Sequence, residues 1–217
     1  MTSPQSDLIE RSAFDDAGLT DWRMFLRALH TRYDPGSYAA GLALVAAIGA
    51  AAEEQDHHPD LDLRWGHVNV LLTSHDSGGV TVRDLRLARR ISEIAAAAGA
   101  VARPQLVQRI EIALDTADWR RIRPFWKAVL GGADNPRLPD EVRDPDGATP
   151  TLWFQETEPH ETPKQRFHLD IRVPVDVAGE RIAAGLAAGG VLVSDESAPD
   201  FVVLADPDGN RVCIGTS

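Results

Sequence analysis

Residues 53–60 read EEQDHHPD, and the adjacent pair His57-His58 stands out because the chain has only seven histidines in 217 residues. His75 and Asp84 follow within the same half of the sequence. Imidazole titrates near neutrality, so it can give and take protons at cellular pH. His57, His58 and His75, with Glu53, Asp56 and Asp84 in reach, suit proton transfer to and from a neutral organic substrate. Plainer roles stay open. A histidine at a helix C-terminus is favoured by the helix dipole, and Asp84 can serve as a helix cap. His30 and His67 read as surface or packed side chains. A zinc site of three histidines is awkward, because neighbouring histidines leave a helix in different directions and only residues three or four apart share a face.

These residues need elements to position them. After an acidic segment to about residue 18 come two short strands, DWRMF (21–25) and LHTRY (29–33), and the turn DPGS (34–37). From Ser37 to about Asp56 a helix is expected, with Tyr38, Leu42, Val45, Ile48 and Ala52 as its buried stripe. Pro59 bars its continuation. LDLRWGHVNVLLTSH (61–75) reads as one strand, with Val68, Val70 and Leu72 facing one way and His67, Asn69, Leu71 and Thr73 the other. Gly78-Gly79 break it. Thr81-Val-Arg-Asp84 resembles a capping box and opens a helix to Gly99, with Leu85, Ala88, Ile91, Ile94 and Ala98 inward.

The second half carries an internal repeat. Residues 109–132 and 166–190 align so that Arg109 falls on Arg166, Glu111 on His168 and Gly132 on Gly189. Each copy is a strand, a helix and a glycine stop, and DPDG recurs at 144–147 and 206–209 beside strand-like runs. This is a duplicated α+β domain, with a boundary near 100–107. Overall the expectation is an α+β protein with a first domain over 1–102 (core about 19–98) and a second over 107–217.

Composition narrows the partners. A net charge of -11 and a pI near 5.0 argue against nucleic acid and anionic membranes. The single cysteine, Cys213, cannot form an internal disulfide, which suggests a reducing compartment. The N-terminal residues lack signal-peptide character, and GLALVAAIGAAA (41–52) is too short to span a bilayer. A cytoplasmic protein is expected.

The stretch Glu53…His57-His58-Pro59, then Trp65, then Thr73-Ser74-His75, then Arg83-Asp84 resembles the pterin-4a-carbinolamine dehydratase family over about residues 19–98. Its departure is Ser74, which separates Thr73 from His75; the upstream hairpin with Trp22 matches less closely. The resemblance implies an antiparallel sheet with helices packed on one face, and dehydration of a 4a-hydroxytetrahydropterin. By carry-over, His57, His58 and His75 line the pterin site, with His58 and His75 as the proton-transfer pair. Asp84 supports one histidine, Glu53 binds or orients, and Trp65 is the family's aromatic. No cofactor is implied, since the pterin is the substrate. The implied partners are a pterin-dependent hydroxylase and further copies of the chain, because the family forms dimers and tetramers. Some relatives act as dimerisation modules, a second reading of the fold.

The repeat resembles the glyoxalase, or vicinal-oxygen-chelate, superfamily, through the helix end Arg123-Pro-Phe-Trp-x-x-Val-Leu-Gly131, His168-Leu-Asp-Ile-Arg-Val173 and Asp206-Pro-Asp-Gly-Asn210. That resemblance implies paired βαβββ modules curled into a cup. Metal-using members place ligands at positions filled here by Glu111, Gln155, His168 and Cys213. Cysteine in the last slot departs from the usual glutamate, so a metal-free ligand cup or a structural partner is the expectation. Metal-dependent lyase, isomerase or dioxygenase chemistry is the alternative. Trp153, Phe154 and Phe201 either line the cup or fill the core.

Overall fold

A computed structural model describes residues 8–130, 132–135, 138–145, 147, 149–159, 167–187, 189–205 and 211–216; of the helix 119–130 it describes the side chains of 119–123 and 127. The chain divides into two compact units, Met1–Val107 and Gln108–Ser217. Both are mixed α+β. No helix among the described residues is long and apolar enough to cross a membrane.

The first unit begins with α1 (Arg11–Asp16), followed by the hairpin β1 (Arg23–Phe25) and β2 (Ala28–Asp34). Then come α2 (Tyr38–Gln55), β3 (Asp60–Arg64), β4 (His67–Leu72), α3 (Val82–Ala97) and β5 (Val101–Ala102). The sheet order is β1-β2-β4-β3, with β5 also on β2, and every pairing is antiparallel. Val68, Val70 and Leu72 alternate inward against α2 and α3 and join Trp22, Leu29, Tyr33, Leu44, Ile48, Leu87 and Ile91 in one core.

Three expectations need correction. Residues 61–75 are not one strand. Arg64 pairs with His67, so Trp65-Gly66 form a two-residue turn and the alternating DLDLR is a strand in its own right. The run of apolar residues that suggested a single strand is only the second arm. The buried face of α2 also differs. Tyr38 and Leu42 are 50% and 51% exposed, while Gly41, Leu44, Ile48, Ala51 and Ala52 are buried. This helix is apolar nearly all round, so periodicity alone does not choose its face. Close approach does: a Cβ at Gly41 would lie 2.9 Å from a terminal methyl of Leu63 and 3.3 Å from Pro35, so glycine lets the helix settle there without displacing Leu63. On α3, Leu85, Ala88 and Ile91 are buried as expected, and Leu87 and Ala95 join them; Ala98 lies past the last turn and is exposed.

The second unit runs β6 (Arg109–Thr116), α4 (Trp119–Leu130), β7 (Glu141–Val142) and β8 (Leu152–Glu156). It continues with β9 (Phe167–Arg172), α5 (Val175–Ala187), β10 (Val191–Ser194), β11 (Phe201–Ala205) and β12 (Arg211–Gly215). Its single sheet has the order β10-β11-β12-β9-β6-β8-β7. The two copies meet where β6 and β9, their equivalent first strands, pair antiparallel. One face of each copy packs apolar: Leu114, Val142, Leu152 and Phe154 in the first, Val173, Ala178, Leu204 and Ile214 in the second. Phe154 is therefore core, and Phe201 is half-buried. The segment 206–210, with the second DPDG, lies outside the described residues.

Leu44 and Leu42 offer a matched test of the α2 face. Leu44→Ala should cost about 2–5 kcal/mol, the range for an emptied core site. Leu42→Ala should stay within about 0.5 kcal/mol for the folded protomer. Denaturant unfolding of the two variants measures both.

Candidate functional site

The local chain geometry at the end of α2 separates the two adjacent histidines. Asp56, with φ 47°, takes the left-handed conformation usual for glycine at a helix end. His57 N–H then reaches back to the Ala52 carbonyl at 3.1 Å. Pro59 holds His58 away from helical geometry. The outcome is one histidine in and one out: His57 is 8% exposed, whereas the His58 side chain is 57% exposed.

His57 enters a closed polar network centred on Asp84, which is fully buried. Its Nε2–H donates to Asp84 Oδ1 at 2.8 Å. A carboxylate only accepts, so this contact puts a proton on Nε2 and leaves Nδ1 as the nitrogen not engaged by Asp84. The other carboxylate oxygen, Oδ2, receives the Ser74 hydroxyl at 2.7 Å and the Thr81 backbone N–H at 2.7 Å. The Ser74 and Thr81 hydroxyls lie 2.8 Å apart, and Thr81 Oγ1 accepts the Arg83 N–H at 3.2 Å. Asp84 thus completes a capping box on α3 and orients a histidine with the same carboxylate. A buried charge is tolerable only when several donors satisfy it, and these do.

The other positions named from the sequence take no part in this network. His58 Nε2–H donates to Glu53 Oε1 at 3.0 Å, an exposed pair on the solvent side. His75 is exposed on the turn that follows β4, directly after Ser74, whose backbone bridges Gly79. Trp65 is 89% exposed at the tip of the β3–β4 turn, outside the hydrogen-bond network. His30 is packed: its ring stacks on Phe25 with centroids 4.3 Å apart. Ser74 and Thr81 were missed as site residues. Ser74 looked like an interruption and Thr81 like a cap alone; the usable signal was that both hydroxyl residues flank the glycine turn beside Asp84.

Residues 6–94 match the family model described as pterin 4 alpha carbinolamine dehydratase. A protein of Nocardia farcinica named "Putative pterin-4-alpha-carbinolamine dehydratase" is 42% identical over 77 residues, covering 36% of this chain and 81% of the relative. The chain belongs to the pterin-4a-carbinolamine dehydratase family. A protein of the same name from Roseiflexus sp. is 38% identical, covering 35% of this chain and 82% of its own. A solved structure titled transcriptional coactivator/pterin dehydratase, from Brucella melitensis, aligns at 26% identity with a TM-score of 0.40, covering 41% of this chain and 99% of that one. Residues 111–215 match the model described as glyoxalase-like domain. A glyoxalase/bleomycin resistance protein/dioxygenase superfamily member from Vibrio splendidus aligns at 18% identity with a TM-score of 0.33, covering 51% of this chain and 100% of that one.

In this glyoxalase-like unit, strand alternation gathers polar side chains on the face opposite the helices. Glu111 and Asp115 come from β6, Trp153 and Gln155 from β8, His168, Asp170 and Arg172 from β9, and Cys213 from β12. Among the described residues, one group could hold a metal ion: His168, Asp170 and Cys213, whose ligand atoms lie within 4.8 Å of one another. Of the four positions derived from the resemblance, His168 and Cys213 are therefore brought together, and Asp170 is an addition the sequence reading missed. Gln155 is exposed. Glu111 is turned to Arg172, whose Nε donates to its Oε2 at 3.3 Å. Burial pushes the Glu111 carboxyl above its ordinary range, against the pull of Arg172.

Asp170 is only 4% exposed and is already heavily engaged. Trp153 Nε1–H donates to its Oδ2 at 3.0 Å, His168 Nε2 lies 3.6 Å from Oδ1, and Arg172 Nη2 lies 3.7 Å from Oδ2. Burial and the adjacent Asp170 push the Cys213 thiol up to about 12. With a guanidinium on Asp170 and Glu111 held elsewhere, the residues present do not fit a metal ion.

Asp84→Ala should lower the stability of the first unit by about 3 kcal/mol, through loss of a cap and unsatisfied buried donors. Ser74→Ala should cost about 1 kcal/mol; chemical denaturation followed by Trp fluorescence reads both. At pH 8 Cys213 should react with iodoacetamide about 100-fold more slowly in the native protein than in urea, because the thiolate is the reactive form. Mass spectrometry of the alkylated chain gives the two rates.

Proposed function

We propose that this protein is a hydro-lyase that dehydrates 4a-hydroxytetrahydropterin, 4a-hydroxytetrahydrobiopterin being the expected form, to the quinonoid dihydropterin. The observation that carries the reading is the buried His57–Asp84 pair, whose Nε2–H contact at 2.8 Å lies beside the exposed His58–Glu53 pair. The name carried by the Nocardia farcinica relative points the same way.

The reaction breaks the C4a–O bond and removes the proton on N5, so that a C4a=N5 double bond forms and water departs. A general acid must protonate the leaving hydroxyl and a base must take the N5 proton. His58 and His75 are the proton-transfer pair in this reading. Both are exposed, so each can exchange protons with solvent after turnover. His57 is held by Asp84 through Nε2 and orients the pterin through Nδ1. Glu53 sets the direction of the His58 ring. The substrate is itself the pterin, so the chemistry calls for no cofactor. The substrate would come from a pterin-dependent hydroxylase, which forms the 4a-hydroxy adduct; the quinonoid product must gain two electrons and two protons from a separate reductase before it serves that hydroxylase again.

Purified protein should accelerate the disappearance of 4a-hydroxytetrahydropterin, followed by ultraviolet absorbance. The double variant His58→Ala, His75→Ala should lose about 100-fold or more of that acceleration, the contribution of positioned acid–base groups. A wild-type rate equal to the spontaneous one would overturn the proposal and leave a binding module.

A further inference from the structure

On the polar face of the glyoxalase-like unit acidic and basic side chains form one alternating chain. Asp115 Oδ1 lies 3.4 Å from His168 Nδ1, and His168 Nε2 lies 3.6 Å from Asp170 Oδ1. Asp170 Oδ2 lies 3.7 Å from Arg172 Nη2, and Arg172 Nε lies 3.3 Å from Glu111 Oε2. The guanidinium thus bridges two carboxylates that are themselves largely withdrawn from water: the side chains of Asp170, Glu111 and Arg172 are 6%, 13% and 19% exposed.

A second feature seats the arginine. Gly215 ends β12 in register with Arg172 on β9. A Cβ at Gly215 would come within 3.2 Å of Arg172 Cζ and would collide with its Nη1. The missing side chain is therefore the space in which the guanidinium lies. Cradle, two acidic partners and strand register all converge on a single fixed positive charge beside His168, Asp170 and Cys213.

We propose that Arg172 is a built-in cation of this face: its guanidinium takes the electrostatic place of a divalent metal ion, and its removal converts His168, Asp170 and Cys213 into a site for a borderline dication such as cobalt or zinc. The reasoning is one of competition. Arg172 and an incoming dication would share Asp170 and repel each other at short range in a partly buried setting, where charge interactions are poorly screened. Without the guanidinium, Asp170 faces only neutral N–H and S–H donors and a histidine. Imidazole, carboxylate and a thiol that loses its proton on binding are a ligand set that zinc and cobalt accept, with one coordination position open. Thiolate is the softest of the three and favours these metals over magnesium or calcium.

Cobalt(II) titration of the full-length chain tests this, because a thiolate ligand gives a cobalt charge-transfer band and Cys213 is the chain's one cysteine. Wild-type protein should show no such band. Arg172→Met, which keeps the aliphatic bulk over Gly215, should take up one equivalent with the band, binding about 100-fold or more tighter than wild type. The band should vanish when Cys213→Ser is added. If Arg172→Met does not fold, Arg172→Gln, which retains an N–H for Glu111, carries the same expectation. A stoichiometric thiolate band in wild-type protein would overturn the proposal, as would a folded Arg172 variant with no band.

Discussion

A carboxylate with no access to water must be surrounded by donors, and at Asp84 that requirement organises the first unit. The side chain is fully buried, and four groups converge on it: the His57 ring, the Ser74 hydroxyl, and the Thr81 hydroxyl and backbone N–H. They come from three places in the chain: the end of α2, the exit of β4 and the start of α3. One carboxylate therefore ties together two helices and a strand while orienting a histidine. Removing any donor leaves the others with a buried charge to satisfy, which is why stability and chemistry are coupled at this point.

The second unit uses a different solution on its polar face. Asp170 occupies the centre there, but its surroundings include a full cation, Arg172, rather than hydroxyls alone. The alternation of acid and base along Asp115, His168, Asp170, Arg172 and Glu111 follows from strand pairing. Glu111 lies opposite Asp170 and Ala113 opposite His168, so residues two apart on β6 and β9 interleave on one face. The apolar residues between them, Ile112, Leu114 and Ile171, pack on the other side. The same two-residue period that buries the core thus lines up the charges.

The sequence was most legible where local chemistry decides the outcome. The capping box at Thr81–Asp84, the inward alternation of Val68, Val70 and Leu72, and the helical end before Pro59 all depend on neighbours within a few residues. It was least legible where a choice among equivalent local options is made by distant parts of the chain. The alanine-rich α2 offers several apolar faces, and Leu63 and Pro35 select one by approaching Gly41. The strand over 61–75 proved to be a hairpin because Trp65-Gly66 can turn, a property that alternation counts do not register. Ser74 appeared as a departure from the family's Thr-His order, yet its hydroxyl is a direct donor to Asp84.

By itself the sequence determined the two α+β units, the family of the first, the duplicated pattern of the second and the set of histidines and carboxylates available for proton transfer. Those features rest on residue type and on spacings of two, three or four, which any reader of the chain can count. Tertiary structure alone decided that the inward histidine, His57, meets Asp84, 27 residues on, while His58 faces solvent. It alone decided too that Arg172 lies among Glu111, Asp170 and Gly215. The physical reason is common to both: a buried charge takes whichever partners the packing brings within reach, and the deciding ones, Asp84 for His57 and Glu111 and Gly215 for Arg172, are far away in the sequence.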